Sequence, residues 1–215
     1  MSLQNRVNPF GEIFESESRG TFTGNRGVIH RNKKIISSFK TKYWITCSLD
    51  YKGFRRQVMT ENRWTELFFL DEATAFAAGH RPCAFCRNAT YKIFKKLWLD
   101  VNSKNFNLPD DSIKSIDQIL HAERINTKGE KIVFTDVLER LPSGIFVKFN
   151  DETKDCFLYY NQQLLKWTPF GYSEIIPLPK QLEVKVLTPK SIVNVFLKDY
   201  VPDIHISAKN LFERV

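Results

Sequence analysis

Three features of the sequence predict an α+β fold: a small N-terminal antiparallel sheet and several helices around a cysteine pair, then a mostly β C-terminal part. Aromatic and β-branched residues dominate 34–39 and 42–49, as strands prefer. Apolar residues recur at three- to four-residue spacing between 71 and 125, and short apolar runs separated by turn residues return after 126. The expected organisation is an arm over 1–20, an α+β domain over 21–126 and a mostly β domain over 127–215.

The elements follow in chain order. Residues 1–20 are polar and lack an apolar period, hence the arm. Lys34–Phe39 and Lys42–Leu49 are predicted strands, Tyr51-Lys52-Gly53-Phe54 a turn, and Arg55–Met59 a third strand. Asp71-Glu72-Ala73-Thr74-Ala75-Phe76-Ala77-Ala78-Gly79 predicts a short helix, with Asp71 as N-cap and Gly79 at the left-handed C-terminal position. Pro82 suits the first turn of a second helix that continues through Tyr91, Phe94 and Trp98. Ser112 to Ile125 predicts a third helix, with Ile113, Ile116, Ile119 and Leu120 on one face. Strands are expected at 131–134, 145–149, 156–160, 164–167 and 183–187, and a final short helix begins at Thr188-Pro189.

Size and composition narrow the function classes. At 42% hydrophobic and 26% charged residues, the chain of 215 residues is an ordinary globular one. No apolar run approaches the roughly 20 residues that a membrane span needs. The N-terminus lacks the basic and apolar regions of a secretory signal, so the expected location is the cytoplasm. There the four cysteines (Cys47, Cys83, Cys86 and Cys156) are expected as thiols or metal ligands. The net charge of +8 is concentrated in residues 26–63, which hold ten basic residues against Asp50 and Glu61. Such focusing suits a polyanionic partner, DNA or RNA, through Arg31, Lys33, Lys34, Lys40, Lys42, Lys52, Arg55 and Arg56. The alternative is a solvated basic face that serves solubility.

The chemistry is concentrated in GHRPCAFCR, residues 79–87. A Cys-x-x-Cys turn aims two sulfurs at one point, and Zn2+ prefers four tetrahedral ligands with thiolates among the best. Amides at a helix start favour thiolate over thiol. A redox pair and two plain buried thiols are the competing readings. Cys47, late in a predicted strand, is the expected third ligand, and His30 or His80 the fourth. Cys156 is expected as an inert core cysteine.

These residues carry a resemblance. TFTGNRGVIH followed by FFLDEATAFAAGHRPCAFCR resembles the Ada-type zinc-binding domain over about residues 21–100, with its Ala-Ala-Gly, Arg-Pro-Cys and second cysteine at Ala77, Ala78, Gly79, Arg81, Pro82, Cys83 and Cys86. The resemblance implies Cys83 and Cys86 as ligands and favours His30, because His80 occupies a non-ligand aromatic place of the family pattern. The chain departs from the repair members where their second cysteine would stand. Lys34 lies there, and Cys47 is the remaining candidate. A site of Cys47, Cys83, Cys86 and His30 carries fewer thiolates than a four-cysteine site, so methyl-transfer repair is disfavoured and a closed structural Zn2+ is expected.

The functional expectation is a structural-zinc protein that binds nucleic acid through 26–63, with Tyr43, Trp44, Tyr51 and Phe54 as candidate stacking surfaces. One alternative is a metal-dependent or nucleic-acid-modifying enzyme that uses Glu66, Asp71, Glu72, His121 or Glu123; an open metal position would favour it. The other is a protein-interaction scaffold presenting Trp167 and Tyr172.

Overall fold

The computed structural model describes residues 2–53, 57–149, 153–178 and 182–213. Arg55 and Arg56 of the expected nucleic-acid surface, with Phe54, lie outside the described residues. In chain order the elements are β1 (Gln4–Val7), β2 (Ile13–Glu15), β3 (Phe22–Asn25), β4 (His30–Arg31), β5 (Lys34–Ile35), β6 (Ile45–Ser48) and β7 (Leu67–Phe69). There follow α1 (Glu72–Ala77), β8 (Arg81–Pro82), α2 (Asn88–Phe106), α3 (Ile113–Arg124), β9 (Phe134–Val137), β10 (Ile145–Lys148) and β11 (Phe157–Tyr160). The chain then forms β12 (Gln163–Thr168), β13 (Gly171–Ile176), β14 (Glu183–Val186), α4 (Lys190–Phe196) and α5 (Ile206–Phe212). The α+β expectation holds.

The first sheet has the order β2-β1-β7-β3-β6-β8. Its β1–β7 and β6–β8 pairs are parallel and the others antiparallel. Residues 4–7 and 13–15 therefore belong to the sheet, and the expected N-terminal arm is corrected. Its signal is weak because only Asn5 and Val7 of β1 are buried. Gly24 lets β3 and β6 approach closely, since a Cβ there would stand 2.1 Å from the Ile45 carbonyl oxygen.

The second sheet, β13-β12-β11-β10-β14-β9, is wholly antiparallel and supplies the expected β-rich C-terminal part. Both faces of its central strands are covered. Ile145, Val147, Phe157, Tyr159 and Leu164 pack with Phe94 and Trp98 of α2, Ile116 and Leu120 of α3, and Ile192 and Phe196 of α4. Phe146, Leu158 and Leu165 point the other way, toward Ala73 and Ala77 of α1 and Ala208 of α5. Two covered faces explain why these strands have no polar alternation in the sequence. The helices α2 and α3, expected with the N-terminal domain, thus pack on the C-terminal sheet, and the boundary at 126 runs through that packing.

Helix α1 is the junction. Phe76 enters one core, Ala73 and Ala77 a second, and Ala75 and Ala78 a third beside Leu67 and Phe69. Small side chains on nearly every face let three layers meet on one six-residue helix. Its N-cap is Asp71, as the sequence predicts, with Oδ1 accepting from the Thr74 amide at 2.8 Å. Gly79 then turns the chain at φ +83°, and a Cβ there would lie 2.6 Å from Arg124 Cδ.

Candidate metal centre

The site begins with strand register. On β3, β6 and β7 the partners Thr23↔Cys47 and Thr23↔Phe68 set Cys47, Thr23 and Phe68 side by side across the first sheet. Period-2 alternation turns Trp64, Glu66 and Phe68 to this face, while Thr65, Leu67 and Phe69 are fully buried behind it. On the other side of β6, Thr46 pairs with Pro82 of β8, and the Cys83 amide donates to the Thr46 carbonyl at 2.9 Å. That parallel pair carries Cys83 alongside Cys47.

The ligand atoms of Cys47, Cys83 and Cys86 all lie within 4.8 Å of one another, a group that can hold a metal ion. All three are free thiols, and the Phe85 amide donates to Cys83 Sγ at 3.4 Å. Hydrogen bonds from Cys47, then Cys86, push the Cys83 thiol well down, whereas Cys83, then Cys86, push Cys47 well up. Three sulfurs at this spacing therefore share negative charge, which suits a cation between them. The Cys-x-x-Cys turn lies between β8 and α2 rather than in a first helical turn. Pro82 ends β8, and α2 begins at Asn88.

Two buried ion pairs hold this turn from both ends. Arg81 donates to both carboxylate oxygens of Asp117 on α3, at 2.8 and 2.7 Å. Arg87 donates to Glu72 at 2.6 Å and to Thr46 Oγ1 at 3.0 Å. Glu72 also accepts from the Tyr200 hydroxyl and the Asp203 amide. Asp71 accepts from the Tyr172 hydroxyl and the His205 amide, and Glu123 accepts from Ser191. The carboxylates expected as catalytic candidates at 71, 72 and 123 are therefore structural ties. Tyr172 is likewise buried rather than presented to a partner, and Trp167 Nε1 donates to Thr74 Oγ1.

Neither histidine joins the cluster, which corrects the expected fourth ligand. His30 is buried on the β4–β5 ribbon, with Nδ1 2.6 Å from Thr65 Oγ1. His80 is buried among Trp44 and Phe69, and its Nε2 accepts from Arg26 Nε at 3.2 Å. Burial, then Arg26 and Arg124, holds its pKa far below the usual range. Among the described residues no histidine or carboxylate completes the three sulfurs. Cys156 is buried in the second core, away from the cluster, as expected.

Instead the sulfurs open on a cleft of about 1030 Å³. Tyr51, Trp64, Phe68 and Phe85 give it aromatic walls, and Lys52 and Asp50 also line it. Phe85, between the two cysteines of the turn, is 73% exposed and its ring lies 5.2 Å from that of Tyr51. Glu66 lines the same cleft, buried, with Oε2 accepting from the Met59 amide at 2.8 Å and Oε1 without a partner. The aromatic wall was legible in principle, since Trp-x-Glu-x-Phe at 64–68 is a period-2 stripe beside the buried one. Of the expected basic residues, Arg31, Lys33, Lys34, Lys40, Lys42 and Lys52 are exposed, whereas Arg26 from the same charged segment is in the core. Among the described residues, no helix is long and apolar enough to cross a membrane. No family model, curated protein or solved structure matches the chain, so the chemistry of this site rests on its own geometry.

Proposed function

We propose that Cys47, Cys83 and Cys86 hold one Zn2+ whose fourth position faces the aromatic cleft, making this a ligand-binding and hydrolytic metal centre rather than a closed staple. The observation that carries the reading is three mutually adjacent sulfurs at the mouth of a cleft, with no fourth donor of the usual kinds among the described residues. Three protein ligands and an open position are the mark of catalytic zinc. Glu66 is the group suited to move a proton there, because it lines the cleft without being one of the ligands and its buried Oε1 has no partner. Free thiols at such spacing suit a reducing compartment, the cytoplasm. The Ada-type resemblance supports zinc occupancy, and the departure at Lys34 leaves methyl transfer disfavoured.

Nucleic acid is the proposed partner. A single strand offers flat bases for Tyr51 and Phe85 and phosphates for Lys52 and the exposed cations at 31–42. The test is metal analysis with a Co2+-substituted sample. One equivalent of metal is expected, lost in Cys83→Ser and retained in His30→Ala and His80→Ala. Added imidazole or azide should change the Co2+ visible spectrum, as it enters an open position. Absence of stoichiometric metal, or a spectrum indifferent to both added ligands, overturns the reading. Binding of a labelled single-stranded oligonucleotide should weaken with salt and with Lys52→Glu; salt-independent affinity would sink the nucleic-acid part.

A further inference from the structure

A second cavity, of about 520 Å³, is lined by Arg26, Arg124 and Lys131 together with Trp44. Both arginines are 1% exposed, and their Cζ atoms stack 3.8 and 3.9 Å from the centroid of the Trp44 ring. Every acceptor they use is neutral. Arg26 donates to His80 Nε2 and to the carbonyls of Gly11 (2.9 Å) and Ser38 (3.5 Å), leaving Nη2 without a partner. Arg124 donates to the carbonyls of Gly79 (2.8 Å) and Lys42 (2.5 Å) and contacts His121 Nδ1 at 2.9 Å, leaving Nε without a partner. The Lys131 ammonium reaches only the Ala77 carbonyl.

Buried cations are normally paired, because taking each charge from water costs several kcal/mol. Here the nearby carboxylates are committed elsewhere. Asp117 is held in both oxygens by Arg81, while Glu12 and Glu130, at the cavity wall, are exposed and bonded to Asn8 and Asn126. Burial, then Arg26, then Arg124, pushes Lys131 down to about 7. Cation–π contact with Trp44 offsets part of the cost but leaves the free N–H groups unsatisfied. An acceptor-rich anion supplies both the missing counter-charge and the missing acceptors.

We infer that this cavity is a phosphate-binding site, taking free phosphate or a phosphomonoester on Arg26, Arg124 and Lys131. Arginine N–H groups and a lysine ammonium are suited to a dianion with several acceptor oxygens. Ile13, Ile35 and Trp44 line the rest of the cavity and offer an apolar surface to an attached organic group.

Calorimetric titration with inorganic phosphate at constant ionic strength tests this in the full chain. One saturable site is expected, with a Tm increase that chloride at equal ionic strength does not give. Lys131→Met should weaken binding about tenfold or more while leaving metal content unchanged. Glu130→Gln, an exposed change that keeps the fold, should tighten it by about threefold. A nucleoside 5′-monophosphate and its parent nucleoside distinguish the source. Tighter binding of the monophosphate than of phosphate assigns a phosphomonoester, and equal binding assigns the free ion. No saturable phosphate binding, or unchanged affinity in both variants, overturns the inference. Cys83→Ser, which removes a metal ligand and none of the three cations, should still show one saturable phosphate site, so failure here is distinct from failure of the metal site.

Discussion

Replacing Glu72 by Gln tests how the metal turn is held. Glu72 is 2% exposed, and its carboxylate accepts from Arg87 (2.6 Å), Tyr200 (2.8 Å) and the Asp203 amide (3.0 Å). Burial raises the Glu72 pKa, and the Arg87 charge opposes that shift, so the ion pair is what makes the buried carboxylate tolerable. Glutamine keeps the shape and one acceptor oxygen, but it leaves the buried Arg87 guanidinium without a counter-charge and sets an NH2 donor against the Asp203 amide. Removing one partner of a buried pair costs about 3–5 kcal/mol. For 215 residues the unfolding entropy is about 0.45 kcal/mol/K, so Tm should fall by about 7–11 °C. Arg87 follows Cys86 directly, so metal affinity should also drop, by about tenfold. Thermal unfolding of metal-loaded protein and a competitive chelator titration supply both readouts. Combining Glu72→Met with Arg87→Met should restore much of the loss, because the orphaned charge is gone. A Tm change below about 2 °C in the single variant would refute the argument.

Two other outcomes follow from the same geometry. Gly79→Ala should cost about 2–4 kcal/mol, measurable by denaturant unfolding, since φ +83° and a 2.6 Å approach to Arg124 Cδ both exclude a methyl group. The Lys131 pKa, depressed to about 7 against about 10.4 when unfolded, makes the unfolded chain bind more protons between those values. In phosphate-free buffer, stability relative to Lys131→Met should therefore rise with pH from about 7 to about 10, by at most about 1.4 kcal/mol per unit. A difference that stays flat over that window would show that the ammonium is not buried among cations.

The fold was legible where local chemistry and burial agreed. Asp71 and Gly79 announce helix ends because capping and left-handed geometry are local, and both hold as expected; Ser112, expected as a helix start, is the N-cap of α3. Apolar runs at 145–149, 156–160 and 164–167 mark strands because both faces of the second sheet are covered. β1 and β2 were missed because they are short and half exposed. The expected strand at Arg55–Met59 is not formed over 57–59, and β7 supplies the sheet instead. β13 escaped because Ser173 and Glu174 are exposed and interrupt its apolar signal. Cys47, Cys83 and Cys86 were identifiable from residue type and spacing. The histidine choice failed because sequence separation says nothing about which sheet face a side chain takes: His30 was drawn to Thr65 and His80 into an aromatic pocket.

The basic segment shows why charge composition and charged surface must be separated. Arg26 counts toward the same excess as Lys33 or Lys34, yet it lies in the core against Trp44 while the lysines face solvent. Its neighbour in space, Arg124, comes from a stretch whose charges balance in sequence, so no window of the chain reveals the pair. The two sites share structural parts. His80, just ahead of the metal turn, accepts from Arg26, while Gly79 gives its carbonyl to Arg124. The residues leading into Cys83 thus form one wall of the cationic cluster, and an anion that draws Arg26 and Arg124 inward would tighten the segment that presents the sulfurs. Phosphate binding and metal affinity should then be positively coupled, each raising the other by the same factor.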